Sequence, residues 1–389
     1  MRIVHVMPWY MPRHDYQENH LPFQQKELGH DVWIIASDRP SPKFYKGMRY
    51  LTGLQQDKGV PIVRLKTLFQ IEKHGQVSLR DLNHEIRSLQ PDVIHAHGPW
   101  TLPTLQLIFS RLPSCKLFVD DHADNANIKL NLLNRRVWVW IFRHTLLKIM
   151  MRKVDGFISV NPFSKWHLHN NLGVPANRIF LLLLGVDPEF YYPDPVLRQK
   201  IRSQLGIKDN EVVFLFAGAF SPTKEIETLI QAFARVAARR ASVRLLLIGT
   251  GSEAYVASLR QLAQTSGAAE KIIFQGWVAP NELCAYYNAG DISVMPGKIS
   301  ASKQAQAVGI PLIVTTEMAC DFLISNSSGF AFEKGDHIAL SKIMMRYVEE
   351  PQLRIEQGRR SLELVLQKLS WSRIAEQSID IYEQPSDKK

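Results

Sequence analysis

Three stretches carry side chains whose types and spacing could do chemistry. Residues 117–125, LFVDDHADN, place His122 directly after an apolar strand pattern, among Asp120, Asp121 and Asp124. An imidazole in that position can give or take a hydrogen bond near neutral pH, or it can be a strand-end histidine satisfied by Asp121 or Asp124. The carboxylates are hard ligands in type, but a strand-end acidic cluster alone rarely holds a cation, so no metal is expected. Residues 296–311, PGKISASKQAQAVGIP, read as the start and body of a helix between two apolar runs, ISVMPG and PLIVTT. Ser302 stands where an N-cap is expected, and the first turn after it offers free backbone N–H groups that suit a diphosphate; a plain cap fits the same residue. Lys298, just before, can add a point charge. The third stretch, Asn134–Lys153, holds six Lys or Arg, no acids and two Trp. It fits the interface of an anionic membrane, with Arg135, Arg136, Trp138, Trp140 and Arg143 as the contacting residues, or a buried helix with solvated ends. The G-T-G of Gly249–Gly251 has Ala254 in place of the third glycine of a dinucleotide fingerprint, which argues against a dehydrogenase.

The elements that must position these residues alternate along the whole chain. Strand patterns RIVHVMP, DVWIIAS, PIVRLK, DVIHAH, KLFVDDH, GFISV and IFLLLLG fall in the first half; VVFLFAG, VRLLLIG, KIIFQGW, ISVMPG, PLIVTT and GFAF fall in the second. Helical patterns lie between them, such as Ile226–Ala238 with Ile226, Leu229, Ile230, Phe233 and Ala237 near helical spacing. This order predicts an α/β protein with parallel sheets covered by helices. A length of 389 residues predicts two domains, and Pro188, Pro193 and Pro195 mark the cut near 190–198. Two such halves imply a ligand cleft at the carboxyl ends of both sheets.

Composition bounds the partners. The formal charge of +10 calls for an anionic one, and without zinc-finger spacing or an RNA-binding aromatic signature nucleic acid is not expected. Cys115, Cys284 and Cys320 are odd in number and far apart, which predicts a reducing compartment. The opening MRIVHV reads as a strand, not a signal peptide, and the run Val93–Ser110, free of charged residues, is interrupted by Gly98, Pro99 and Pro103. The expected location is cytoplasmic, peripheral on the inner face of a membrane.

Over nearly its whole length the chain resembles the retaining, nucleotide-sugar-dependent glycosyltransferases of family 4, which have the GT-B fold of two Rossmann-like domains. In the first half VHVMPWYMP, YQENHLPFQQKELGHDVWIIASDR, LQPDVIHAHG and RIFLLLLGVDPEFYYPD carry the likeness. In the second FAGAFSPTKEIETLIQAF, VRLLLIGTGSEAYVASL, KIIFQGWVAPNELCAYYNAGDISVMPG and AVGIPLIVT carry it. The resemblance implies an acceptor domain over 1–190, a donor domain over 191–370, and a C-terminal helix and tail over 371–389 that return to the first domain.

It also implies roles for residues. Lys224 matches the lysine that pairs with the donor diphosphate, where it would offset charge growing on the leaving group; the arginine that usually precedes it is Ala219 here, and Lys298 or Lys303 could substitute. His122 matches a histidine near the donor anomeric carbon, hydrogen-bonding the sugar while the leaving phosphate takes the acceptor proton. His97 reads as structural. The family has two glutamates separated by seven residues; the second, which accepts from the ribose, corresponds to Gln304, and eight positions earlier stands Pro296. A neutral amide still accepts from one hydroxyl, at a loss of about 1–2 kcal/mol relative to a charged acceptor. A polysaccharide- and lipopolysaccharide-building branch with "P-G…S-x-S-x-Q-Q-A" fits PGKISASKQAQA in part, Lys303 departing from it. Gly218, Gly297, Lys298, Ser300, Ser302, Lys303 and Gln304 would line the donor together with Lys224. The implied function is transfer of a sugar, with retention, from a nucleotide-diphosphate donor to a lipid-linked or glycan acceptor in cell-surface polysaccharide or glycolipid synthesis, with no cofactor. The missing glutamates leave open a non-catalytic GT-B protein that binds a glycan or nucleotide, and an epimerase is a third reading.

Overall fold

The computed structural model describes residues 1–12, 16–41, 47–71, 76–123, 139–140, 142–297, 302–316 and 321–385. Arg135, Arg136, Trp138, Lys298 and Ser300 lie outside these residues. The chain divides into two compact units, Met1–Gly185 with Trp371–Lys389, and Val186–Ser370.

In the first unit the strands are β1 (Arg2–Val6), β2 (Asp31–Ser37), β3 (Gly53–Asp57), β4 (Val60–Leu65), β5 (Thr67–Ile71), β6 (Gln76–Leu79), β7 (Val93–His97), β8 (Lys116–Asp121), β9 (Gly156–Ser159) and β10 (Ile179–Leu181). Eight form one sheet in the order β10-β9-β8-β7-β1-β2-β4-β3, parallel except for β3, which runs antiparallel to β4 at the edge. β5 and β6 pair separately as an antiparallel hairpin. The central strands read as near-continuous apolar runs because helices cover both faces of a parallel sheet. One face packs Val4, Ile94 and Leu117 against Ile86, Leu107 and Met150. The other packs Ile3, Val93 and Phe118 against Leu21 and Phe23 of the helix Leu21–Glu27 and Ile374 and Tyr382 of the C-terminal helix Trp371–Glu383. That last helix is therefore part of the first unit's core.

The strands β3, β5 and β6 were not anticipated from sequence. β3 and β5 show mostly exposed residues, with Leu54 67% and Leu68 66% accessible, so their patterns carry no buried face.

The second unit opens with Asp194 capping the helix Pro195–Gln204: its carboxylate accepts from the Val196 and Leu197 N–H groups, and Pro195 takes the first helical position, where no N–H is needed. Six parallel strands follow, β11 (Val212–Ala217), β12 (Val243–Ile248), β13 (Ile272–Gly276), β14 (Ile292–Met295), β15 (Leu312–Thr315) and β16 (Gly329–Phe332), in the order β13-β12-β11-β14-β15-β16. This is a Rossmann order whose direction reverses between β11 and β14. Asp291 fixes that junction. Its carboxylate takes Arg198 at 2.6 Å, the fully buried Arg202 at 2.7 Å and the Val213 N–H at 2.7 Å, tying the first helix to β11 at the root of β14.

Candidate functional site

Two clusters stand at the carboxyl ends of the two sheets, each at the reversal of its own strand order, where open α/β folds bind ligands. They are described unit by unit.

In the second unit three strand-end loops touch through glycines. A Cβ on Gly249, after β12, would collide with the carbonyl oxygen of Gly218, after β11, and one on Gly251 would collide with that of Phe220. A Cβ on Gly297, after β14, would lie 2.5 Å from the Thr223 carbonyl oxygen and 2.7 Å from the Lys224 carbonyl carbon. Only a residue without a side chain lets the β14 loop meet the turn Pro222–Lys224 this closely. Lys224 itself is 8% exposed, and Glu225 after it adopts a left-handed φ of 53° to launch the helix Ile226–Ala237. The helix after β14 is described over Ser302–Ala307, and Ser302, its first described residue, is buried. Lys303 follows, half-buried, with burial lowering its ammonium to about 8. Gln304 is half-buried. Gln306 is fully buried and donates to the Leu323 carbonyl at 2.7 Å, which makes it a tie to the helix Asp321–Ile324. The structure thus brings Gly218, Lys224 and Gly297 together around one junction, with Ser302, Lys303 and Gln304 opening the helix that follows β14.

In the first unit, β1 and β7 flank the reversal, and β8 lies beside β7. Strand alternation puts His5, His95, His97 and Asp120 on one face, with His5 opposite His95 and His97 opposite Asp120. His122, two residues beyond Asp120, falls on the same side. Gln25 and Tyr382 complete a buried polar string. Its polarity is readable from one end. The Ser378 hydroxyl donates to the Ala375 carbonyl, so its oxygen accepts from the Gln25 amide at 2.8 Å. The Gln25 carbonyl oxygen then faces His5 Nε2 at 2.7 Å and must accept from it. Burial, with His95 and His97 adding to it, holds His5 well below the ordinary imidazole value and hence neutral, and its Nδ1 pairs with His97 Nε2 at 3.1 Å. His97 Nδ1 lies 2.7 Å from Asp120 Oδ2.

Burial alone would raise the Asp120 carboxyl; the His97 and His122 charges, the His122 hydrogen bond and the close approach of the His95 ring bring it well below the carboxylate range instead. Ionised, it can only accept, so His97 donates to it from Nδ1. Asp120 Oδ1 accepts from the Gly98 N–H at 2.8 Å. The Tyr382 hydroxyl accepts weakly from Gln25 at 3.3 Å and pairs with His95 Nδ1 at 2.6 Å. His95 Nε2 sits 3.2 Å from Asp120 Oδ2 but outside hydrogen-bond geometry, and burial lowers this ring to about 4. The ligand-type atoms of His5, His95 and His97, and those of His97, Asp120 and His122, fall within 4.8 Å of one another. Apart from His95 Nε2 these atoms are already engaged with each other or with Gln25 and Tyr382, and the arrangement is a hydrogen-bonded string.

His122 is its outlet. Its side chain is 42% exposed, and Nε2 lies 3.3 Å from Asp120 Oδ2. Burial opposes its protonation, but the Asp120 charge and hydrogen bond raise it to about 9. The partner is Asp120, not Asp121: Asp121 points to the other face of β8, where burial pushes its carboxyl to about 7. Asp124 lies outside the described residues. Sequence reading singled out His122, set His97 aside as structural and weighed Asp120 only as a possible metal ligand; it missed His5, His95 and Gln25. The period of two in VIHAH and VDDH was the signal that could have joined His95 to His97 and Asp120 to His122.

Of the proposed membrane segment, Trp140 is 62% exposed and Arg143 is exposed beside Gly173. The helix Leu146–Lys153 buries Leu147 and Met150 and exposes Lys148 and Arg152, one turn apart, while the half-buried Lys153 donates to the Ser110 carbonyl at 2.8 Å. Among the described residues no helix is long and apolar enough to cross a membrane.

Similarity to known proteins follows the same division. Residues 198–362 match the family described as Glycosyl transferases group 1, and residues 23–190 match Glycosyltransferase Family 4. The GDP-mannose-dependent alpha-(1-6)-phosphatidylinositol monomannoside mannosyltransferase of Mycobacterium tuberculosis is 28% identical over 40% of this chain and 40% of its own length. The alpha-monoglucosyldiacylglycerol synthase of Streptococcus pneumoniae is 28% identical over 69% of this chain and 61% of its own. The chain thus matches less than two thirds of the length of these relatives. The crystal structure of Anabaena HepE in complex with UDP superposes with a TM-score of 0.74 at 17% identity, over 98% of this chain and 99% of that one. Each unit thus matches a glycosyltransferase family model, and the whole chain has the GT-B fold of two Rossmann-like units.

Proposed function

We propose that this chain transfers a sugar from a nucleotide-diphosphate donor to a lipid-linked or glycan acceptor, retaining the anomeric configuration, at the inner face of a membrane. The second unit takes the donor and the first presents His122 to the sugar. The observation that carries this reading is the packing of Gly297 on the Lys224 turn at the β11/β14 reversal. It gathers backbone from the loops after β11 and β14 and a largely buried ammonium at one strand-end junction, as recognition of a diphosphate requires. Lys224 balances charge on the departing diphosphate, which then takes the acceptor proton. His122, protonated against Asp120 at neutral pH, donates to a sugar oxygen. The relatives' names, a GDP-mannose-dependent mannosyltransferase and a synthase of alpha-monoglucosyldiacylglycerol among them, support a glycolipid or glycan product. The exposed Trp140, Arg143, Lys148 and Arg152 support contact with an anionic surface.

The second reading, a binding protein without turnover, is favoured by Gln304 and Ala219 where the family carries charge. One panel separates the two. UDP-, GDP- and ADP-sugars at about a hundred times Kd should stabilise the chain by about 2.7 kcal/mol, and Lys224→Ala should remove the shift. Slow donor hydrolysis, or transfer with the anomeric configuration kept by NMR, supports the enzyme. A shift without any turnover supports the binder, and a shift untouched by Lys224→Ala takes the lysine out of the site.

A further inference from the structure

We propose that His97 is a positioning residue for His122, acting through Asp120: its Nδ1–H pins the carboxylate so that Oδ2 stays beside the His122 ring. The inference rests on the reading of His122 as the group that meets the donor sugar. It goes further in assigning work to a histidine that no ligand need touch.

The argument is geometric. Asp120 is fully buried and held at both oxygens, Oδ1 by the Gly98 N–H at 2.8 Å and Oδ2 by His97 Nδ1 at 2.7 Å. Of the three imidazoles around the carboxylate His97 approaches it most closely, against 3.2 Å for His95, which is not hydrogen-bonded to it, and 3.3 Å for His122. His97 cannot turn away, because its other nitrogen is committed to His5, His5 to Gln25, and Gln25 to Ser378 on the C-terminal helix. The Ser378 hydroxyl, pointing at the Ala375 carbonyl, orients the Gln25 amide and with it the Gln25–His5 bond. Stacking of His95 on His97, with ring centroids 4.6 Å apart and planes 8° from parallel, removes the remaining freedom of the ring. The half-exposed His122 is the only described member of the string whose ring is open to a ligand, so a rigid interior ends on an accessible N–H donor. The charged and titratable groups that act on His122 are Asp120, Asp121, Glu18 from the turn Gln17–Asn19, and His95.

Two near-isosteric variants of the full chain test the direction of the string. In His97→Asn the amide nitrogen stands near Nδ1, keeping the donor to Asp120 and losing the contact with His5. In His97→Gln it stands near Nε2, with the opposite result. The readouts are the NMR titration of the His122 ring and the pH profile of donor turnover. We expect His122 to titrate near 9 in the parent chain, about one unit or more lower in His97→Gln, and close to the parent in His97→Asn. The same shift should move the alkaline limb of kcat, with a kcat loss of about tenfold for His97→Gln, a KM change under about twofold, and most of the kcat restored in His97→Asn. Equal effects of the two variants, or a His122 titration unmoved by either, overturn the proposal. If His97→Gln fails to fold, Asp120→Asn decides the same question, since it removes the charge while keeping the shape: a His122 ring that still titrates near 9 in that variant overturns the proposal. Should the parent chain turn over no donor, the proposed function fails; the ring titration still decides the positioning role on its own.

Discussion

His122 and Lys224 mark two ways in which a lone polar residue becomes useful. Lys224 is buried by a neighbouring loop, and the closeness of that loop depends on Gly297 having no side chain. Gly297→Ala should therefore push the β14 loop off the Lys224 turn. We expect a stability loss of about 1–3 kcal/mol by denaturant titration, as for other overpacked sites, and weaker nucleotide binding by calorimetry, about tenfold or more. Stability lost with binding intact would mean that the contact only packs. His122, by contrast, is governed by a residue two positions earlier. Sequence reading offered Asp121 or Asp124 as its partner because both are close in the chain. In a strand, however, adjacency places side chains on opposite faces and a spacing of two places them together, which selects Asp120. The Gln25, Ser378 and Tyr382 contacts could not be read this way, since they join residues more than 350 positions apart, or 287 for Tyr382 and His95.

At the scale of elements, what was legible depended on burial. Strands inside the two sheets are apolar on both faces and declare themselves as runs such as VVFLFA; β3 and β5 expose most of their side chains and leave no period to detect. The return of the C-terminal helix Trp371–Glu383 to the first unit was legible only through the family likeness, while its contacts give the reason. It buries Trp371, Ile374, Ala375, Ile381 and Tyr382, stacks Trp371 on His20 at 5.0 Å, and supplies Ser378 and Tyr382 to the histidine string. The backbone prepares this entry: Val186 and Ser370 pair in a parallel bridge, and Gly185 gives the Trp371 ring room. A chain ending at Ser370 should lose more than about 5 kcal/mol, given roughly 1.5–3 kcal/mol for each large apolar side chain. It would also leave the Gln25 amide and His95 unpartnered in an interior. Circular dichroism and hydrogen exchange should show the first unit opened, with the second unit's exchange unchanged; an intact first unit would reduce the helix to a surface strap.

For the molecule as a whole, the two units repeat one plan with different chemistry at the reversal of each sheet. The first places a carboxylate among imidazoles, and the second places ammonium groups and glycine-spaced backbone. The net charge of +10 and the Rossmann strand order of the second unit both favour an anion at the ends of β11 and β14. Hydrogen exchange of the complete chain with and without a saturating nucleoside diphosphate reads this directly. Backbone N–H groups that hold a diphosphate exchange more slowly when it is bound, so protection should appear at residues 218–224, 249–251 and 296–307 of the second unit. It should persist in His122→Asn, which alters only the first unit, and vanish in Lys224→Ala. Protection that spares residues 221–224 and 296–297 would remove the glycine-tightened junction from phosphate recognition, and the donor would then have to be sought at a different edge of that sheet.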